Sequence, residues 1–136
     1  VTNNQTNTES AFEMKLELVP VPVSDIDRAK AFYVEKLGFK ADHDVRPSDT
    51  VRVLQLTPPG SACSILLGAG LPNIEMAPGS LRGLHLVVKD ISKSRETLAS
   101  RGVAVGEIVD LGGIKFVSFS DPDGNTWALQ EIPGRS

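Results

Sequence analysis

The sequence predicts an α+β fold: two βαβββ modules forming a curved mixed sheet with a central cleft and the helices outside. Three observations lead there. The tetrad Val23-Ser24-Asp25-Ile26 returns as Val88-Lys89-Asp90-Ile91, an offset of 90 − 25 = 65. The helix-like segment after each tetrad stops at a glycine, Gly38 or Gly102, an offset of 64. Thr57-Pro58-Pro59-Gly60 is answered by Asp121-Pro122-Asp123-Gly124, again 64 residues on. Three landmarks in one order at one spacing mark an internal duplication rather than a chance match.

The elements follow in turn. Residues 1–13 are polar at the start and rich in Asn and Thr, and are expected to be a disordered extension or tag. Module 1 spans about 14–69 and opens with an apolar run, Leu16, Leu18, Val19, Val21 and Val23, interrupted by Pro20 and Pro22. Proline removes a ladder donor, so this strand belongs at a sheet edge or carries a bulge. Ser24 or Asp25 can cap the helix that follows. Ile26, Ala29, Phe32, Tyr33 and Leu37 give it an apolar face, and Gly38 ends it. Strands are predicted near 39–45, 51–57 and 62–68, then a Gly/Pro-rich linker over 70–80. Module 2, 81–133, runs alike: a strand of Leu84, Leu86, Val87 and Val88, an Asp90 cap, a helix with Ile91, Leu98 and Ala99 inside, and strands near 103–110, 114–120 and 125–131. Residues 134–136 are a tail. The Pro-Pro-Gly and Pro-Asp-Gly steps are turn chemistry, so each last strand pair is a hairpin.

Composition narrows the function classes. With 136 residues, 40% hydrophobic and 23% charged, the chain can bury a core without staples. A net charge of −3 lacks the electrostatic footprint of a nucleic-acid binder, so no nucleic-acid partner is expected. No run of Lys and Arg marks a membrane-surface patch, and no apolar stretch is long enough to cross a bilayer. Cys63 is the only cysteine, which suits a reducing cytoplasm; it reads as a buried structural thiol rather than a nucleophile. No P-loop, dinucleotide fingerprint, nucleophile elbow or paired zinc spacing is present, and Asp121 and Asp123 lack the further spacing of a calcium loop.

Val23 to Tyr33 (VSDIDRAKAFY), Leu37-Gly38-Phe39 and Asp121-Pro122-Asp123-Gly124-Asn125 resemble the vicinal oxygen chelate superfamily, which includes glyoxalase I, extradiol dioxygenases and bleomycin-resistance proteins. The likeness covers about 14–133. It implies the paired-module fold, and by analogy a homodimer. Enzymes of that superfamily typically hold a divalent metal through four strand positions. Two lie seven residues before each capping Asp; the others lie on the last strand of each module. Carried onto this chain, the positions are Leu18, Gly83, Ala128 and Ser64. Leu, Gly and Ala offer no lone pair and a serine hydroxyl alone is a poor ligand, so neither metal nor cofactor is expected.

The small-molecule ligand is then expected to meet Leu18, Gln55, Ser64, His85, Ala128 and Gln130. Strand alternation puts His85 on the face of Gly83 and Gln130 on that of Ala128, so a displaced metal site using both stays open. His85 is either the acid–base residue of a metal-free enzyme, assisted by Gln130 or Glu131, or a core histidine bonded to backbone. Gln55 is either a pocket hydrogen-bonder or edge-facing. Trp127, Phe116 and Phe119 are either core or ligand surface, and His43 reads as solvated. The leading reading is a bleomycin-resistance-like protein binding an apolar or aromatic compound without a metal. The alternatives are a lyase, isomerase or dioxygenase of the same superfamily, and an accessory subunit.

Overall fold

The computed structural model describes residues 12–72 and 74–135. Positions 1–11 of the expected extension, and position 136 of the tail, lie outside the described residues. Module 1 comprises β1 (Leu18–Pro20), α1 (Ile26–Ala31) running on into a π-helical stretch (Phe32–Lys36), β2 (Lys40–Ser48), β3 (Val51–Thr57) and β4 (Ser64–Ala69). Module 2 comprises β5 (Leu84–Val87), α2 (Ile91–Ser100), β6 (Val109–Leu111), β7 (Ile114–Ser120) and β8 (Thr126–Glu131). Hydrogen bonding gives two four-stranded mixed sheets, one per module, ordered β1-β4-β3-β2 and β5-β8-β7-β6. In each, the first strand runs parallel to the last and the remaining pairs are antiparallel.

Local chemistry sets the boundaries. The apolar run from Leu16 to Val23 yields only a three-residue edge strand, because Pro20 and Pro22 cannot donate to a ladder. Asp25 and Asp90 cap the two helices, accepting from Arg28 N and Lys93 N at 3.0 Å each. Ser24 instead donates its hydroxyl to Asp123 at 2.6 Å. The Leu37 amide bonds Phe32 O at 3.2 Å, a five-residue step that widens the last turn of the first helix. That widening lets consecutive Phe32 and Tyr33 both reach the core. Gly38 then turns the chain at φ 81°. The strand expected at 103–110 shrinks to Val109–Leu111, because Val103 is buried in the core from irregular chain.

One hydrophobic core serves both modules. Leu54, Leu56, Ile65 and Leu67 from the first sheet join Val117, Phe119, Trp127 and Leu129 from the second, with Ala29, Tyr33, Ile91 and Leu98 from the helices. The modules therefore meet along their helix-bearing sides. Trp127 and Phe119 belong to this core: their rings stack at 6.3 Å, and Tyr33 and Phe39 lie 5.7 and 5.9 Å from Trp127.

The polar part of the seam is built around Asp121, a carboxylate only 5% exposed. Its Oδ2 accepts from the Tyr33 hydroxyl and from Asn125 Nδ2, each at 2.8 Å. Its Oδ1 accepts from the Asp123 and Asn125 amides, each at 2.9 Å. Trp127 Nε1 donates to the Tyr33 oxygen at 2.9 Å, and Asn125 Nδ2 also donates to Pro22 O at 2.8 Å. Burial, and the Asp121 charge beside it, push the Tyr33 hydroxyl far above its ordinary pKa, so it remains a donor. The linker closes on the same turn: a Cβ at Gly79 would stand 2.0 Å from Asp123 O.

A second polar cluster ties α1 to its own sheet. Arg52, buried on β3, donates Nε and Nη2 to the two oxygens of Asp44 at 3.0 Å each, and Nη1 to Asp27 at 2.8 Å. Lys30 adds a bond to Asp44 at 2.8 Å. Hydrogen bonds from Arg52, then Lys30, hold the Asp44 carboxyl well below the usual carboxylate range. Cys63 is half-buried.

Two predictions follow from these clusters. Tyr33→Phe leaves Asp121 and Trp127 Nε1 each short of a partner, and should lower stability by about 1–3 kcal/mol in urea unfolding. Arg52→Gln should lower it by about 2 kcal/mol at neutral pH. The folded pKa of Asp44 lies below its unfolded value of 3.8, so its stabilisation is present above that pH and lost as pH falls through the folded value. The stability gap between native protein and Arg52→Gln should therefore narrow on acidification; a gap that stays constant would discount the ion pair.

Candidate functional site

Because each sheet gives one face to the core, its alternate residues form a second, open face. On the first sheet, β3 sends Leu54 and Leu56 inward, and Val53, Gln55 and Thr57 outward. Leu18 pairs with Ser64 across the parallel ladder. Thr57 donates to Asp42, because a carboxylate can only accept; the Ser64 hydroxyl, 2.6 Å from Thr57 Oγ1, then donates to Thr57. Gln55 Nε2 donates to Glu17 at 3.3 Å, and exposed His43 pairs with Gln55 in register. Leu71 and Ile74 of the linker line a small pocket together with Pro20 and Leu66.

On the second sheet the open face carries a cavity of about 920 Å³, walled by His85, Phe116, Ser118, Thr126 and Ala128, with Gly83 at its edge. Ala128 pairs with His85 on one side and Ser118 on the other. Gln130 shares this face, paired with Phe116 and Val87, but does not line the cavity. The His85 ring lies edge-on to Phe116 at 5.9 Å. Its Nδ1 is 2.7 Å from Gly83 O. A carbonyl only accepts, so Nδ1 carries the hydrogen and, in the neutral ring, Nε2 is left as an acceptor. Asp121 also borders the cavity, but both its oxygens are taken by the seam.

Strand register corrects one sequence assignment. Ser64 and Ala128 are repeat mates, 128 − 64 = 64, and their ladder partners are Leu18 and His85. The counterpart of Leu18 is therefore His85, not Gly83. Counting back from the caps misleads because the connections differ in length. Val21, which bonds Leu66 O, precedes its cap by 25 − 21 = 4 residues; Val88, which bonds Gln130 O, precedes its cap by 90 − 88 = 2. The four equivalent positions hold Leu18, Ser64, His85 and Ala128, one imidazole with no carboxylate. This donor set does not fit a divalent metal. Among the described residues, no three His, Cys, Asp or Glu side chains cluster to hold one.

The structure thus groups Leu18, Gln55 and Ser64 on one open face, and His85, Ala128 and Gln130 on the other. The cavity over the second sheet is lined from module 2 alone. Reading the sequence passed over Thr57, Asp42 and Ser118; Thr57 and Ser118 had been signalled by their place as polar residues at outward positions of alternating strands.

Residues 15–129 match the family model of the Glyoxalase/Bleomycin resistance protein/Dioxygenase superfamily. Among solved structures, TnmS3, an antibiotic binding protein from Streptomyces sp. CB03234, is 39% identical with a TM-score of 0.77, over 88% of this chain and 96% of that one. A glyoxalase/bleomycin resistance protein from the same Streptomyces is 42% identical with a TM-score of 0.72, over 85% and 98%. The uncharacterized protein YetH of Bacillus subtilis is 31% identical over 118 residues, 83% of this chain and 94% of YetH. No helix among the described residues is long and apolar enough to cross a membrane. The chain belongs to the glyoxalase/bleomycin resistance protein/dioxygenase superfamily.

Proposed function

We propose that this chain binds an apolar or aromatic small molecule of antibiotic type, without a metal, on the open face of its second sheet. The observation that carries this reading is the cavity beside His85, Phe116, Ser118 and Ala128, whose wall offers a single imidazole and, in Asp121, a carboxylate already engaged by four donors. Phe116 and the edge of the Trp127–Phe119 stack supply aromatic surface. Ser118 and His85 Nε2 supply hydrogen bonds. His85 lacks a free acid–base partner in the cavity wall, since Asp121 is fully engaged, and this favours binding over turnover. The antibiotic-binding neighbour TnmS3 supports the ligand class. The single half-buried thiol suits a cytoplasmic protein.

The working form on this reading is a homodimer. The chain before β1 alternates Phe12, Met14 and Leu16, which are 77%, 80% and 70% exposed. Val45, Val109 and Leu111 are likewise exposed on the two sheets. Apolar surface this large is usually covered. A second copy can lay its first sheet, with Leu18, Gln55 and Ser64, over the cavity of the second, uniting residues that one chain keeps apart.

The test is calorimetric titration of the purified protein with a panel of planar aromatic antibiotics and bleomycin, with and without EDTA. One-to-one binding that EDTA leaves unchanged is expected, with Ser118→Phe weakening it about tenfold by filling the cavity. Chemical conversion of the compound, or a requirement for added metal, would refute the reading. Sedimentation should show a dimer at micromolar concentration, and Met14→Glu with Leu16→Glu should yield monomer with weakened binding. Monomers that bind at full strength would disprove the shared cavity.

A further inference from the structure

We propose a second ligand site on the opposite side of the second sheet, for an amphipathic anion: a carboxylate, sulfonate or phosphate on an apolar body. A groove of about 1030 Å³ opens there, between α2 and the end of the first helix with the Pro58-Pro59 turn. Its floor is apolar: half-buried Leu37 and Leu86, with buried Phe39, Leu98 and Leu129 beneath them. Its walls bring Lys89, Lys93, Arg101 and Lys115 around that floor.

The charges of this groove are arranged unlike those of module 1. There, Arg52, Lys30 and Arg28 each meet a carboxylate. Around the groove, none of the four cations forms an ion pair among the described residues. The two carboxylates in the wall are already engaged. Asp90 accepts from Lys93 N at 3.0 Å, and Glu131 accepts from Ile91 N at 2.8 Å. Those bonds occupy the Ile91 and Lys93 amides of the first turn of α2, and the attraction for an anion is assigned to the side-chain cations rather than to the helix end. Lys115 is half-buried and stands beside Glu131 in the ladder, on the core-facing side of the sheet. A partly desolvated ammonium near the half-buried Leu37 and Leu86 side chains favours a ligand that brings both a negative group and an apolar body. The site shares its sheet with the antibiotic cavity but lies on the other face, and does not rest on that reading.

The probe is 8-anilinonaphthalene-1-sulfonate, compared with its uncharged counterpart N-phenyl-1-naphthylamine, on the full chain. Binding of the sulfonate should perturb the amide NMR signals of Lys93, Thr97 and Lys115. The neutral compound should bind more weakly, and salt should weaken the sulfonate selectively. Lys93→Ala with Lys115→Ala should weaken the sulfonate about tenfold while circular dichroism stays native. Ser94→Trp, which fills the groove without changing charge, should abolish the same perturbations. The proposal is overturned by equal affinity for the neutral compound, by unchanged affinity in the double variant, by perturbations confined to His85, Ser118 and Ala128, or by no binding.

Discussion

A buried carboxylate holds this molecule in its shape. Asp121 sits at the head of the second hairpin turn, withdrawn from water, and its cost is met by four donors, two of them from Asn125 and one from Tyr33 in the other module. Through the Tyr33 hydroxyl the same network reaches Trp127, and through Asn125 it reaches Pro22 and Leu81. Two repeats of one design have no intrinsic reason to meet in a single orientation. Apolar burial is nondirectional, and the hydrogen bonds around Asp121 supply the direction.

That orientation governs what the rest of the chain can do. With the helix-bearing sides turned together, the other face of each sheet is free, and whatever the chain binds with sheet surface it binds there. The faces differ in chemistry. The first carries a chain of hydroxyls ending on Asp42, with Gln55 held to Glu17. The second carries one imidazole pinned by a backbone carbonyl, one phenyl ring and small side chains. Duplication produced equivalent positions, and divergence filled them unequally.

The fold was legible because its signals are local. Asp25 and Asp90 cap, Gly38 and Gly102 stop, and the two proline-containing turns close hairpins, all within a few residues of chain. Two features were misread. The strand expected at 103–110 was read from an apolar run that turned out to be buried irregular chain, and the counterpart of Leu18 was found by counting back from the caps. Pairing is decided across the sheet, where two extra residues before Asp25 shift the count without shifting the ladder. The open faces were half legible. Alternation marked Gln55, Ser64, His85 and Ala128 as co-facing within their strands, but no local pattern says which sides of the two modules meet. That depends on Tyr33 reaching Asp121 across 88 positions of sequence.

The contrast between the two charge clusters extends the same reasoning. In module 1 the buried Arg52 is surrounded by carboxylates, as a guanidinium inside a protein must be. Its ion pairs lock α1 onto β2 and β3 and leave nothing over for a ligand. In module 2 Asp90 caps α2 as Asp25 caps α1, and Glu131 on β8 accepts from the Ile91 amide. The lysines nearby are released from structural duty. Both helices carry an aspartate cap, and α1 is fastened further by ion pairs that the four cations beside α2 do not form among the described residues. The cations beside the groove behind the second sheet therefore stay available for the anion proposed there.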